Sequence, residues 1–290
     1  MPAKIKSQIS DIIKIALKED GALDDVTSDL TLSAKNQIKF VINSREKIVF
    51  CGAEIITEVF SQLKKSAKFK NSKLSFKIKV QDGQNLKAQS LICQGFGEAK
   101  LIFAAERVIL NLIQHLSGIA TSAHQFVETL NNSKIKILDT RKTIPGIRAL
   151  QKYAVKCGGA QNHRFNLSDM VLIKDNHIAA AKNVRNAVLM ARKNTKNLKV
   201  EVECDTFLQV QQAIEAQPDV IMLDNMSAVE IKKSSSLIRA YKKKKIAIEI
   251  SGGINLKTIK KFRNLDIDFI SVGSLTHSVK AVDIGLDIVL

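Results

Sequence analysis

Apolar side chains recur at Ile5, Ile9, Ile12, Ile13 and Ala16, the spacing of a helix with one buried face, which predicts a helix over residues 3–19. The acidic stretch EDGALDDVTSDLT, residues 19–31, reads as a loop with helix caps. Its spacing is not that of a calcium loop. Residues 38–50 alternate as strands do, AEIITEVFSQL (53–63) has helical spacing, and LSFKIKV (74–80) alternates strictly, as a half-buried strand would. A DGQN turn and SLICQGFG follow, completing an α+β block of about 100 residues. A long helical tract then runs from about Glu98 to Leu130, with a break predicted around Ser117-Gly118.

From about residue 134 the rhythm changes. Short apolar strands recur, and each ends in polar residues or glycine: KIKILDTRK, DMVLIKDNH, KVEVECD, DVIMLDN, IAIEISGGI and DFISVGSLTHS. Helical segments such as TFLQVQQAIEAQ and NLKTIKKFRNL separate them. Strands joined by helical crossovers imply a parallel sheet. Polar residues at the C-terminal end of every strand suit an α/β barrel, whose active site lies at that face. A doubly wound sheet would concentrate function at one switch point. Six strands are plain, short of the eight of a full barrel, so an incomplete barrel is predicted. The division expected is an N-terminal α+β domain over residues 1–115, completed by the C-terminal segment 276–290, and a barrel over 116–275.

Composition changes the picture little, and charge changes it more. At 45% hydrophobic and 25% charged, the 290 residues suffice for a sizeable core. The formal net charge of +17 includes lysine runs at Lys64-Lys65 and Lys242 to Lys245. A solvated basic surface is the plain reading, and attraction of anions the functional one. Aromatic residues make up only 5% of the chain and form no stacking platform for bases among the lysines, which argues against nucleic acid as a partner. Cys51, Cys93, Cys157 and Cys204 form no C-x-x-C pair, which argues against a disulfide framework or zinc ribbon and for reduced thiols in the cytoplasm. The N-terminus lacks a secretory h-region, and no apolar run is long enough to cross a membrane.

The strand ends, placed in one ring, bring together Arg141, Lys142, His163, Arg164 and Lys174 on a cationic side and Glu203 and Asp224 on an anionic side. Two glycine loops close the ring: Ser251, Gly252 and Gly253, then Gly273 and Ser274. Late glycine loops in such barrels offer backbone N–H groups to phosphate, although glycines also serve plain tight turns. Two cations about 4 Å apart repel by roughly 4 kcal/mol at an effective dielectric near 20, so the cluster calls for a substrate with several negative charges. Arginine suits bidentate grip on carboxylate or phosphate, and lysine acts as a point charge. Glu203 and Asp224 could hold Mg²⁺ with substrate oxygens completing its shell, or could simply pair with the lysines. A histidine alone is more often structural, but His163 beside Arg164 after a glycine turn gains weight as a substrate ligand. His115, His124 and His277 read as structural.

These motifs resemble quinolinate phosphoribosyltransferase, the carboxylating nicotinate-nucleotide pyrophosphorylase family. The resemblance runs through LKEDGALDDVTSDLT, ERVILNLIQHLSGIAT and ILDTRKTIPGIRALQKYAVKCGGAQNHRFNLSDMVLIKDNHI, then VEVE, DVIMLDN, IEISGGI and ISVGSLTHSVKAVDIGLDI. The run DTRKT-x-PG-x-R, GG-x-x-NHR, LIKDNH is its most specific part. The resemblance implies an α/β sandwich domain joined to an open, incomplete barrel, in a homodimer with shared active sites, higher assembly being left open. It implies transfer of phosphoribosyl from 5-phosphoribosyl 1-pyrophosphate to quinolinate with decarboxylation, giving nicotinate mononucleotide for NAD biosynthesis, with Mg²⁺ as cofactor. It implies that Arg141, His163, Arg164 and Lys174 grip the quinolinate carboxylates and that Arg107 reaches in from the partner. Lys142 would hold phosphate oxygens, with Arg148 a weaker candidate, and Glu203 and Asp224 would serve the ribose and the metal. Ser251, Gly252, Gly253, Gly273 and Ser274 would take the 5-phosphate. The family usually has a third glycine where this chain has Ala160, which matters only if that position needs a left-handed backbone.

Two rivals come from other classes. A Schiff-base aldolase would use Lys174 as nucleophile, but needs fewer cations. A nucleic-acid binder would use the +17 surface and leave the strand ends unexplained.

Overall fold

The computed structural model describes residues 3–33, 35–195 and 197–289. Its contacts divide the chain into two compact units: residues 1–124, 143–159 and 276–290, and residues 125–142 with 160–275. Residues 143–159 thus return to the first unit, which a split into consecutive stretches does not express.

The first unit is built on an antiparallel sheet, β12-β1-β5-β3, in which β1 (Gln37–Ser44), β3 (Leu74–Ile78) and β5 (Leu91–Glu98) are joined by the C-terminal strand β12 (Ile284–Val289). A small ribbon pairs β2 (Ile48–Val49) with β4 (Asn85–Leu86). Helix α1 (Ala3–Glu19) buries Ile9 and Ile13, and α2 (Val26–Thr31) is capped by Asp25, whose carboxylate accepts the Ser28 N–H. Helix α3 (Ala53–Lys65) buries Ile55, Ile56, Val59, Phe60 and Leu63 along one stripe. The Phe60 ring lies 6.0 Å from Phe40 and 5.0 Å from Phe76, tying α3 to β1 and β3. Fully burying each such side chain contributes about 1.5–3 kcal/mol.

Helix α4 (Ala99–Leu130) is continuous through the predicted break. Ser117 is fully buried and its hydroxyl accepts the Cys51 N–H at 3.0 Å and donates to the Cys51 carbonyl at 3.2 Å. Gly118 leaves room for the Lys280 backbone, which a side chain would meet. Both residues serve contacts to other segments, and these outweigh the roughly 1 kcal/mol propensity cost of glycine within a helix. Helix α5 (Arg148–Cys157) completes this unit and buries Lys152 on its inner face.

The second unit is an open parallel α/β barrel of six strands, order β6-β11-β10-β9-β8-β7. They are β6 (Lys136–Leu138), β7 (Val171–Ile173), β8 (Val200–Cys204), β9 (Val220–Asp224), β10 (Ala247–Ser251) and β11 (Phe269–Ser271). Strands β6 and β7 are the two edges, and Gln161 adds one parallel bridge to Leu138 beyond β6. Helices α6 (Asp175–Ala180), α7 (Val184–Asn194), α8 (Phe207–Ala216) and α9 (Ala228–Ala240) fill the crossovers. The α8 and α9 starts carry reciprocal caps, Thr206 with Gln209 and Ser227 with Glu230. The segment NLKTIKKFRNL, predicted helical, forms only a 3₁₀ turn at Ile259–Phe262. The Asn255 side chain accepts the N–H groups of Lys257 and Thr258, an Asx turn that competes with a regular helix start. The last helix, α10, is the short Ser274–His277. At the N-terminal end of β9, Asp219 accepts from Arg192, Lys244 and the Val200 N–H, each at 2.8 Å. That end of the barrel is a stability face, and chemistry is expected at the opposite end.

Candidate active site

The C-terminal ends of the barrel strands surround a pocket of about 330 Å³. Its walls include Arg141, Lys142, His163, Arg164, Lys174, Glu203, Asp224 and Ser251, with Thr140, Leu172, Met222 and Ser271 between them. Strand geometry explains the gathering: residues two apart point to the same face, so Leu172 and Lys174, Met222 and Asp224, and Glu249 and Ser251 form pairs in depth. Of the other predicted residues, Gly252, Gly253, Gly273 and Ser274 follow β10 and β11 directly. Arg107 lies exposed on α4 in the first unit, and Arg148 opens α5, its Nε donating to Thr143 Oγ1 at 2.9 Å.

The cationic wall rests on a buried acid. Asp139, fully buried just past β6, accepts from the His163 N–H at 2.9 Å and the Asn162 side-chain amide at 2.6 Å. This pins the NHR segment to the β6 end. Arg164 donates from Nη1 to the Met170 carbonyl at 3.3 Å. Burial, and then the neighbouring Arg141 charge, lower the Arg164 pKa below that of a free guanidinium, as expected of cations crowded at one mouth. Lys174 projects from the end of β7, and its Nζ lies 2.7 Å from Glu203 Oε2. Beyond it, His177 Nδ1 accepts the Lys174 N–H and Asp175 accepts the Asn176 N–H, bracing the turn into α6.

The anionic wall holds three carboxylates. Oxygens of Glu203, Asp205 and Asp224 lie within 4.8 Å of one another. Burial and then the charges of Asp224 and Asp175 raise the Asp205 pKa. Three carboxylates gathered at a pocket mouth offer the hard oxygen donors that Mg²⁺ takes. The alternative of ion pairing with the lysines is also realised, since Glu203 already holds Lys174.

The loop after β10 depends on glycine. Gly252 and Gly253 have φ of +89° and +60°, and a side chain at Gly252 would run into Asn225. Asn225 itself has φ +53° and donates its N–H to the Ser251 carbonyl at 3.0 Å. Ala160 is not among the residues with positive φ, whereas Gly159 has φ +88°. Alanine therefore sits at position 160 without backbone strain.

Four further acids shape this site: Asp139 and Asp205, which the sequence shows as strand ends without marking a role for them, and Glu201 and Glu249, which the strand-end pattern passes over. Glu201 and Glu249 lie mid-strand with 1% of their surface exposed, below the mouth. A charged residue inside an otherwise apolar parallel strand, as in VEVEC and AIEIS, was the available signal.

A parallel barrel with a crowded cationic wall, a carboxylate cluster and a glycine loop at one mouth defines an enzyme that handles polyanions. Residues 25–117 match the family described as quinolinate phosphoribosyl transferase, N-terminal domain, and residues 119–287 its C-terminal domain. A curated Bacillus subtilis protein named probable nicotinate-nucleotide pyrophosphorylase [carboxylating] is 39% identical over 284 residues, covering 98% of this chain and 94% of that protein. The nicotinate-nucleotide pyrophosphorylase structure from Francisella tularensis superposes with TM-score 0.90 at 37% identity, covering 100% of this chain and 98% of that one. Its counterpart from Ehrlichia chaffeensis gives TM-score 0.89 at 41% identity, covering 97% and 98%. The chain belongs to the quinolinate phosphoribosyltransferase family.

Proposed function

We propose that the chain transfers phosphoribosyl from 5-phosphoribosyl 1-pyrophosphate to quinolinate and releases CO₂, giving nicotinate mononucleotide and pyrophosphate. The observation that carries this reading is one pocket lined by Arg141, Arg164 and Lys174 together with Glu203 and Asp224. A pyridine dicarboxylate supplies the charge that the first wall lacks, and a ribose pyrophosphate suits the second.

Arg141 and Arg164 grip the two carboxylates, with His163 beside them and Lys174 placing a point charge. Lys142, exposed at the mouth, faces phosphate oxygens. Glu203 and Asp224 hold the ribose hydroxyls. Glu203 and Asp224, with Asp205 close by, would hold Mg²⁺, which would neutralise charge on the pyrophosphate leaving group. Gly252, Gly253, Gly273 and Ser274 present backbone N–H groups to the 5-phosphate, as the open space beside Gly253 permits.

The bonds balance in two steps. The pyridine nitrogen forms a bond to ribose C1 as the C1–oxygen bond to pyrophosphate breaks. The bond from ring C2 to its carboxylate then breaks, CO₂ leaves, and the electron pair left on C2 takes up a proton. Positioning and electrostatic fit do most of this work, since the positive ring nitrogen created in the first step stabilises that pair. Arg107 completes the site from a partner copy in a homodimer. No helix among the described residues is long and apolar enough to cross a membrane, and the four free cysteines suit a reducing cytoplasm.

Nicotinic acid offered in place of quinolinate is the discriminating experiment. It lacks the 2-carboxylate, so turnover should fall by more than about 100-fold, the loss expected when a charge-assisted pair is left unmatched. Equal use of both acids would refute the dicarboxylate pocket.

A further inference from the structure

Below the pocket mouth, β8 and β10 each bury a carboxylate that the proposed reaction does not use. Glu201 and Glu249 are both 1% exposed. Their common neighbour is His163, whose Nε2 lies 3.1 Å from Glu201 Oε2 and 3.6 Å from Glu249 Oε2. The other ring nitrogen, Nδ1, accepts the backbone N–H of Arg164 at 2.7 Å. A ring nitrogen that accepts a backbone N–H carries no proton there, so the ring proton is on Nε2 and faces the acids. His163 is therefore held at both ends.

Burying two carboxylates this close together is costly, and an inert core would hold apolar residues instead. The same strand does so on either side of Glu249, at the fully buried Ile248 and Ile250. Glu201 Oε1 has no hydrogen-bond partner among the described residues, so what the acid's position provides is the contact of Oε2 with His163. Burial, and then the charge of Glu201, push the Glu249 pKa up to about 8, and the Ser271 hydroxyl donates to Glu249 Oε1. Ser271 itself lines the pocket, which links the pair to the site wall.

We propose that Glu201 and Glu249 are positioning residues that lock His163 as its Nε2–H tautomer, so that Nδ1 fixes the Arg164 backbone and presents the Arg164 guanidinium to the dicarboxylate. The role of the pair is exerted through His163 and Arg164, not through contact with substrate. Arg164 has a second anchor in the Met170 carbonyl, so a loosened His163 leaves it attached at one end only. The consequence for quinolinate rests on the function proposed above, and the tautomer does not.

The test combines imidazole ¹⁵N spectra of the histidine-labelled full chain with kinetics in which both substrates are varied. His163 is one of only five histidines, so its signal is assignable by a His163→Asn control. Wild type should show the Nε2–H tautomer at neutral pH, and an Nδ1–H ring there overturns the proposal at once. Glu201→Leu and Glu249→Leu keep the site filled. Each should mix the tautomers and raise KM for quinolinate at least tenfold, with KM for phosphoribosyl pyrophosphate changed less than twofold. Glu201→Gln keeps an acceptor for Nε2–H and should restore both the tautomer and the quinolinate KM to within about threefold of wild type. Parallel rises in both KM values, or a quinolinate KM unmoved by Glu201→Leu and Glu249→Leu, overturn the positioning role. If the leucine variants fail to fold, the wild-type and Glu201→Gln spectra still decide the tautomer. A wild type that ignores quinolinate but shows the Nε2–H tautomer would sink the functional reading and leave the histidine lock standing.

Discussion

Lys174 Nζ lies 2.7 Å from Glu203 Oε2, joining the ends of the neighbouring strands β7 and β8 across the pocket mouth. The lysine side chain is 45% exposed and the glutamate 13%, so the pair is a half-open contact that substrates can part. The repulsion expected among crowded cations is thus relieved only in part within the protein, here by Glu203 and at Arg164 by Glu201, whose charge acts on that guanidinium without outweighing burial and Arg141.

Lys174→Ala should consequently remove quinolinate use while sparing the fold. A lost charge-assisted contact of about 3 kcal/mol corresponds to a fall in kcat/KM of roughly 100-fold. Thermal unfolding should move little, because an exposed ion pair contributes about 1 kcal/mol or less. Steady-state kinetics beside a melting curve checks both halves.

Arg107 lies exposed on α4 in the first unit and is not among the residues that line the barrel pocket. Arg107→Ala should inactivate the enzyme, and so should Lys174→Ala. In a dimer with shared sites, mixing the two variants with subunit exchange gives mixed dimers that each regain one intact site, so about a quarter of wild-type activity should return. Exchange demonstrated by mass spectrometry with no return of activity would remove the shared site from the account.

Asp219 at the opposite end of the barrel gives a stability prediction. Burial alone would raise its pKa, but hydrogen bonds from Arg192, Lys244 and the Val200 N–H outweigh that and bring it down to about 2 from an ordinary 3.8. A depressed carboxylate pKa contributes stability above the unfolded value, and the contribution is lost as pH falls through the folded value. Asp219→Asn should cost roughly 1 kcal/mol at neutral pH after allowance for partial exposure, and the gap should close between about pH 4 and pH 2. Urea unfolding of both proteins across that range measures it.

Much of this architecture was legible in the chain. The six barrel strands announce themselves because each is a short apolar run ending in Lys, Asp, Glu or Gly, and the parallel order follows from the crossovers between them. The mouth residues Arg141, Lys174, Glu203 and Asp224 end or follow strands, so reading strand ends found them, and His163 and Arg164 were found from the glycine turn that precedes them. Glu201 and Glu249 were missed because they lie inside strands, where only closure of the sheet makes two distant acids share one histidine. Asp205 was seen as a strand end, but its closeness to Asp224 depends on the pairing of β8 with β9. Local signals misled at two places where tertiary contacts or side-chain turns decide: Ser117-Gly118, absorbed into α4 by contacts with Cys51 and Lys280, and Asn255, whose side chain holds residues 257–258 out of a regular helix.

The central claim is that one pocket joins a pyridine dicarboxylate to phosphoribosyl and removes its 2-carboxylate. Quinolinate carrying ¹³C in that carboxylate, supplied with phosphoribosyl pyrophosphate and Mg²⁺, tests it directly. One labelled CO₂ for each nicotinate mononucleotide, both dependent on phosphoribosyl pyrophosphate, is the predicted result. Mononucleotide formed without labelled CO₂, or neither product from folded protein, would contradict it.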